Sequence, residues 1–230
     1  MRFTRIRGAG NGPPPGAAAA VPETGPFSAE HLALLDWKRR VAELYRTVRE
    51  SRDPARAWTA WRRGRDALFR AHAQSPLPPD RREAHHALPF YPYDPRSRVL
   101  ADVVDAAGAR YEIAASDGAA YTFTRFGEAR FVLGGCACTL ELCWLEGYGG
   151  GLFLPFRDGT NGADTYGGGR YLLDTVKGAD LGMEDGRLVL DFNFAYNPSC
   201  AYDAVWSCPL APPRNRLEIS VRAGEQVRAP

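Results

Sequence analysis

The spacing of apolar residues changes period once along this chain, near residue 97. Before that point Leu34, Trp37, Val41, Leu44, Tyr45 and Val48 recur at helical spacing, as do Trp58, Trp61, Leu68 and Phe69. After it the period is two. Leu217, Ile219 and Val221 alternate with Arg216, Glu218, Ser220 and Arg222, the pattern of a strand with one wet face. No alternation of strand and helix follows, which points away from a doubly wound nucleotide-binding fold.

Local signals bound the elements. Ser28 is placed to cap a helix running to about Glu50. Asp53-Pro54 opens a second helix, with Asp as cap and Pro in the first turn, and that helix fails near Ser75-Pro76. Strands are expected at 98–105, 109–115, 120–126, 129–134, 137–145, 151–155, 170–176, 187–194 and 216–222. Ala107-Gly108, Asp117-Gly118, Gly134-Gly135 and Asp185-Gly186 read as the turns between them. The expectation is a mainly β core, an antiparallel barrel or a two-sheet sandwich, behind an N-terminal pair of helices, α+β overall. One domain spans 27–230, with its helical part at 27–75 and its β core at 97–226. Residues 1–26 are rich in Gly, Pro and Ala and are expected to be a disordered tail.

Charge narrows the partners. Residues 1–96 hold 17 basic against 10 acidic side chains, and 97–230 hold 12 against 17. A basic helical part can dock on an acidic β part. The arginines are spread around the helices rather than gathered on one face, which argues against nucleic acid as the partner. No apolar run reaches the ~20 residues of a membrane helix, and no signal peptide is legible, so the reading is cytoplasmic. In that setting thiols are the default for Cys136, Cys138, Cys143, Cys200 and Cys208, with Cys138 packing beside Leu140, Leu142 and Trp144 on one strand face, and with Cys200 and Cys208, which flank a turn, either bridged or packed as thiols. His31, His72, His85 and His86 all lie ahead of the β core, away from the polar loops, so no metal site is expected, and no cofactor is named by any motif.

The segment from Pro155 to Arg216 carries the chemistry. Loop 157–166 and loop 195–202 are dense in hydrogen-bonding side chains. If strands 170–176 and 187–194 formed a hairpin about their midpoint, Arg170 would oppose Asn193 and Leu172 would oppose Asp191. Arg170, Asp174, Asp191 and Asn193 would then share a polar face. The expected site is a cluster around Arg170 and Asp191, with Thr160, Tyr166, Asn193, Tyr196 and Asn197 as contacts. Arg170 would hold a carboxylate or phosphate. Asp158 and Asp191 are the candidates for acid–base work. Cys200 has no histidine in its segment to act as base. The competing reading is a non-catalytic scaffold or interaction module, in which Arg170–Asp191 is a structural ion pair.

The runs Phe156-Arg157-Asp158-Gly159-Thr160, Thr165-Tyr166-Gly167-Gly168-Gly169-Arg170-Tyr171-Leu172, Asp191-Phe192-Asn193 and Ala195-Tyr196-Asn197-Pro198-Ser199-Cys200-Ala201-Tyr202 resemble the bacterial family catalogued as domain of unknown function 1684. So do Cys208-Pro209-Leu210-Ala211-Pro212-Pro213, Asn215-Arg216-Leu217 and Arg222-Ala223-Gly224-Glu225. The resemblance covers roughly residues 35–226. Arg214 stands where members usually carry Glu, and Ala73 where they carry Pro. The family implies the fold and the motif positions, and no activity.

Overall fold

The computed structural model describes residues 29–147 and 149–227. The expected tail at 1–26 and the Ser28 cap lie outside them. Helix α1 runs Ala29–Glu50 and α2 Pro54–Ala71, with a single turn, α3, at Pro79–Arg82. Asp53 caps α2 as its sequence dictates: its carboxylate accepts from the Arg56 N–H at 3.0 Å, and Pro54 fills the first turn, where no N–H is needed. Asp53→Ala is expected to lower stability by about 1 kcal/mol. It should shift the urea midpoint and leave the denaturant slope unchanged.

Seven strands follow: β1 Arg98–Ala114, β2 Ala120–Leu133, β3 Cys136–Leu145, β4 Leu152–Phe156, β5 Arg170–Asp174, β6 Met183–Glu184 and β7 Arg187–Asp191. They form one antiparallel sheet in the order β5-β4-β3-β2-β1-β7-β6. β1 to β5 are a meander, and β7 returns to the free side of β1. The sheet is open, with β5 and β6 at its edges, so it does not close into a barrel.

Several expected strands merge. Segments 98–105 and 109–115 are one strand, as are 120–126 and 129–134. Ala107-Gly108 sits in an irregularity between Asp105 and Ala109 rather than in a turn, opposite a bulge at Phe126, between Arg125 and Gly127. Segment 216–222 is not a strand. It still buries Leu217 and Val221 as its alternation requires, but its backbone serves the 157–159 loop through Leu217 N–H to Arg157 O and Gly159 N–H to Ile219 O. On β3, Leu140 and Leu142 are buried and Cys138 packs half-buried against them. Trp144 instead sits at the surface, 45% exposed, edge-on to Phe126.

α2 ties the helices to the sheet. Trp61 packs against Tyr45, Phe90 and Phe194, with ring centroids 5.8, 5.7 and 5.0 Å apart. The Trp58 indole donates to Asn193 O at 2.9 Å. The helix pair thereby reaches the turn at Phe192–Phe194, directly after β7. Among the described residues no helix is long and apolar enough to cross a membrane.

Candidate functional site

The expected hairpin of β5 with β7 does not form. β5 is an edge strand paired with β4, and β7 pairs with β1 at the other side of the sheet. Arg170 lies opposite Phe156, and the residue opposite Asp191 is Arg98. Alternation assigns faces and not partners, and on β5 it separates no wet face from a dry one, since all five residues are buried. The expected polar cluster therefore separates into three.

The first cluster holds Arg170, Asp158 and Thr160. Arg170 is 0% exposed. Its Nη2 donates to Asp158 Oδ2 at 2.6 Å and to Val221 O at 3.0 Å. Its Nη1 donates to the carbonyls of Ala223 and Glu225, and its plane lies over the Phe156 ring. Asp158 Oδ1 accepts from the Thr160 N–H and hydroxyl at 2.7 and 2.6 Å, an Asx turn that fixes the loop. The Thr160 hydroxyl continues to Thr165 at 2.8 Å. Gly169 makes the approach to Arg170 feasible: its φ is +95°, and a Cβ there would stand 2.7 Å from Phe156 O. Burial pulls the Arg170 guanidinium below its ordinary value while Asp158 works against that. The arrangement is a buried charge pair held by backbone carbonyls, with Nε unpartnered among the described residues, a structural joint between loop 157–166 and the C-terminal segment.

The second cluster holds Tyr196, Asn197 and two residues outside the expected site, Arg65 and Glu225. Glu225 is fully buried. It accepts from Arg65 Nη2 and the Asn197 N–H, each at 3.1 Å, and from the Tyr202 hydroxyl. Burial raises the Glu225 carboxyl and Arg65 opposes the rise. Arg65 spans the faces of Phe69 and Tyr196. A cleft of about 400 Å³ opens beside Tyr202, Glu225 and His85. Asn197 lines it, with its Oδ1 unpartnered among the described residues.

The third cluster is built on Asp191. Asp191 Oδ1 accepts from the Asn193 N–H at 3.0 Å and from Asn193 Nδ2 at 2.8 Å. Asn193 is itself fixed to the Asp94 backbone through both ends of its amide. Asp191 Oδ2 has no hydrogen-bond partner among the described residues. The residue is 2% exposed, and it lines a cleft of about 210 Å³ between the end of α1, the start of β1 and the β6–β7 hairpin. Arg49, Ser51, Arg98 and Glu184 share the walls. Arg98 spends Nη2 on Glu184 at 2.6 Å, and Arg49 spends Nη1 on Asp180 O at 2.7 Å, so both keep further donors. Burial pushes the Asp191 carboxyl from 3.8 up to about 6, against the Asn193 hydrogen bonds and the Arg98 charge. Tyr166 belongs to none of the three; its hydroxyl lies 3.6 Å from Cys200 Sγ.

Arg98 and Arg49 escaped the sequence reading. Arg98 is the first residue of a strand whose partner comes ninety residues later, and Arg49 is one exposed-looking arginine among many on a helix. A larger groove of about 820 Å³ runs between α1 and α2, past Arg39, Leu44, Leu68 and His72.

A family model described as "Protein of unknown function (DUF1684)" matches residues 83–226. The chain belongs to this family. The whole helix pair lies outside the DUF1684 match, whereas Arg98, Asp158, Arg170, Asp191, Asn197 and Glu225 all lie within it. Among solved structures, the DUF1684 chain is similar to an uncharacterized protein of Haloarcula marismortui determined by solution NMR. The two are 36% identical, with 74% of this chain and 91% of that one covered, and the TM-score is 0.55. Among curated proteins nothing matches.

Proposed function

We propose that this DUF1684 protein binds a small anionic metabolite, a carboxylate or a phosphate, in the cleft at Asp191. Arg98 and Arg49 hold the anion and Asp191 exchanges a proton with it. The observation that carries the reading is the Asp191 carboxyl itself. It is nearly buried, oriented by Asn193, opposed by Arg98 across the sheet, and left with Oδ2 unpaired at a cleft wall. Perturbed acids in clefts beside fixed cations are where binding and proton transfer concentrate. Asn193 is a positioning residue in this reading. Arg170, Asp158 and Thr160 build the loop scaffold, and their hydrogen bonds to one another and to backbone carbonyls favour the structural reading for that part of the motif.

The test is an NMR titration with acetate, malonate, succinate and inorganic phosphate. At least one is expected to move the amide resonances of residues 49–51, 98 and 182–184. A hydrogen bond to a charged partner contributes about 1.5–3 kcal/mol, so Arg98→Ala should weaken that binding roughly 10- to 100-fold. A flat response to all four anions, or equal affinity in the variant, would overturn the proposal.

A further inference from the structure

The motif that carries Asn197 continues to Cys200, and a second cysteine follows at Cys208. The fold brings the pair together. Cys200 sits in a single helical turn at Ser199–Ala201, half-buried, and Cys208 is 2% exposed behind it. The Cys200 N–H donates to Cys208 Sγ at 3.4 Å, and the Tyr166 hydroxyl lies 3.6 Å from Cys200 Sγ on another side. Both cysteines are free thiols. The neighbouring Cys208 and Tyr166 draw the Cys200 thiol below its usual range, against its partial burial.

We propose that Cys200 and Cys208 are a reversible oxidation site, in which a hydroperoxide oxidises Cys200 and Cys208 resolves the product to an intramolecular disulfide. The Cys200 thiolate attacks a peroxide oxygen. The O–O bond breaks, the distal oxygen leaves as hydroxide or alkoxide and takes up a proton, and Cys200 becomes a sulfenic acid. The Cys208 sulfur then attacks the Cys200 sulfur. The S–S bond forms, the S–O bond breaks, and the departing hydroxide leaves as water with the Cys208 proton. Two thiols give up two electrons and the peroxide accepts both. Tyr166 is the positioning residue, since its hydroxyl donates to the Cys200 thiolate that starts the sequence.

Cys136 and Cys138 supply the internal comparison. They lie two residues apart on one strand, with Cys138 Sγ directed at Cys136 O, a spacing that disfavours bridging.

The experiment treats the folded chain with stoichiometric hydrogen peroxide and follows it by intact mass and by peptide mapping after denaturing alkylation. The intact mass is expected to fall by about 2 Da, reversibly with reductant. Alkylatable thiols should drop from the five free cysteines by the Cys200–Cys208 pair alone. The double variant Cys136→Ser/Cys138→Ser should show the same loss. Cys208→Ser should instead gain about 16 Da at Cys200, trapped by a sulfenic-acid reagent. Should Cys208→Ser fail to fold, the wild-type peptide map decides. A disulfide mapped to another pair overturns the proposal. So does a dose that oxidises exposed Cys136 and leaves Cys200 and Cys208 as thiols.

Discussion

Arg170→Ala is expected to cost about 3–5 kcal/mol of stability, the effect of removing one partner from a fully buried ion pair. The substitution leaves the Asp158 carboxylate buried without its cation, at a position with no solvent access. It also removes the donors that satisfy the carbonyls of Val221 and Ala223. Those carbonyls face Arg170 because Gly224, at φ +81°, packs where a Cβ would stand 2.7 Å from the carbonyls of Phe192 and Ala195. Lysine is not a substitute, since one ammonium cannot reproduce the guanidinium's planar fork of donors. Nor should Arg170→Met combined with Asp158→Asn recover the loss, because the carbonyls stay unpaired. Urea unfolding followed by tryptophan fluorescence reads all three variants. A loss below about 1 kcal/mol for Arg170→Ala, the range of an exposed pair, would mean that Arg170 is not the joint of the loops. The ligand-holding role expected from the sequence would then return to it.

The difference between that expectation and the structure has a definite physical origin. The residues of the joint were legible: Arg170, Asp158, Thr160 and their glycines stood out as a polar run feeding a strand. Their partners were not, because Arg170 is satisfied mainly by backbone carbonyls of residues 221–225, and a carbonyl leaves no mark on the sequence. The same holds for register. Alternation set Arg170, Asp174, Asp191 and Asn193 on a polar face, yet all four are buried along with Leu172, Leu190 and Phe192. It could not say that β7 would join β1, since any antiparallel partner preserves the alternation. The helices were read closely because their determinants are local: Asp53 caps α2 through a residue three positions on. The bulges at 105–109 and 125–127 were misread because a glycine inside a long strand and a glycine at its end look alike without the partner strand. The partner expected opposite Asp191 was Leu172; in the fold it is Arg98 of β1.

That pair carries the second large effect, the pH dependence of stability at Asp191. Its folded-state pKa is raised from 3.8 to about 6 by burial. Between about pH 4 and pH 6 the folded protein therefore holds a proton that the unfolded chain has released, and stability falls as pH rises through that window. The full displacement corresponds to roughly 3 kcal/mol, present below the unfolded pKa and lost above the folded one. Burial raises Glu225 as well and acts in the same direction, so the contribution of Asp191 is read by difference, against Asp191→Asn. An asparagine there can still accept the Asn193 hydrogen bonds through its own oxygen. Near pH 4 variant and wild type should be about equally stable. At pH 7 the variant is expected to be the more stable by about 1–3 kcal/mol. Urea midpoints at pH 4, 5, 6 and 7 trace the divergence, and parallel curves would show that Asp191 ionises as it does in the unfolded chain. A variant that is more stable at neutral pH would identify Asp191 as an acid kept at a cost to the fold, as expected of a group retained for what it does in the cleft rather than for holding it together. Anion binding by Arg98 and Arg49 should survive in the same variant, since the substitution removes a like charge from the site. Its loss would place Asp191 in the structure of the cleft instead.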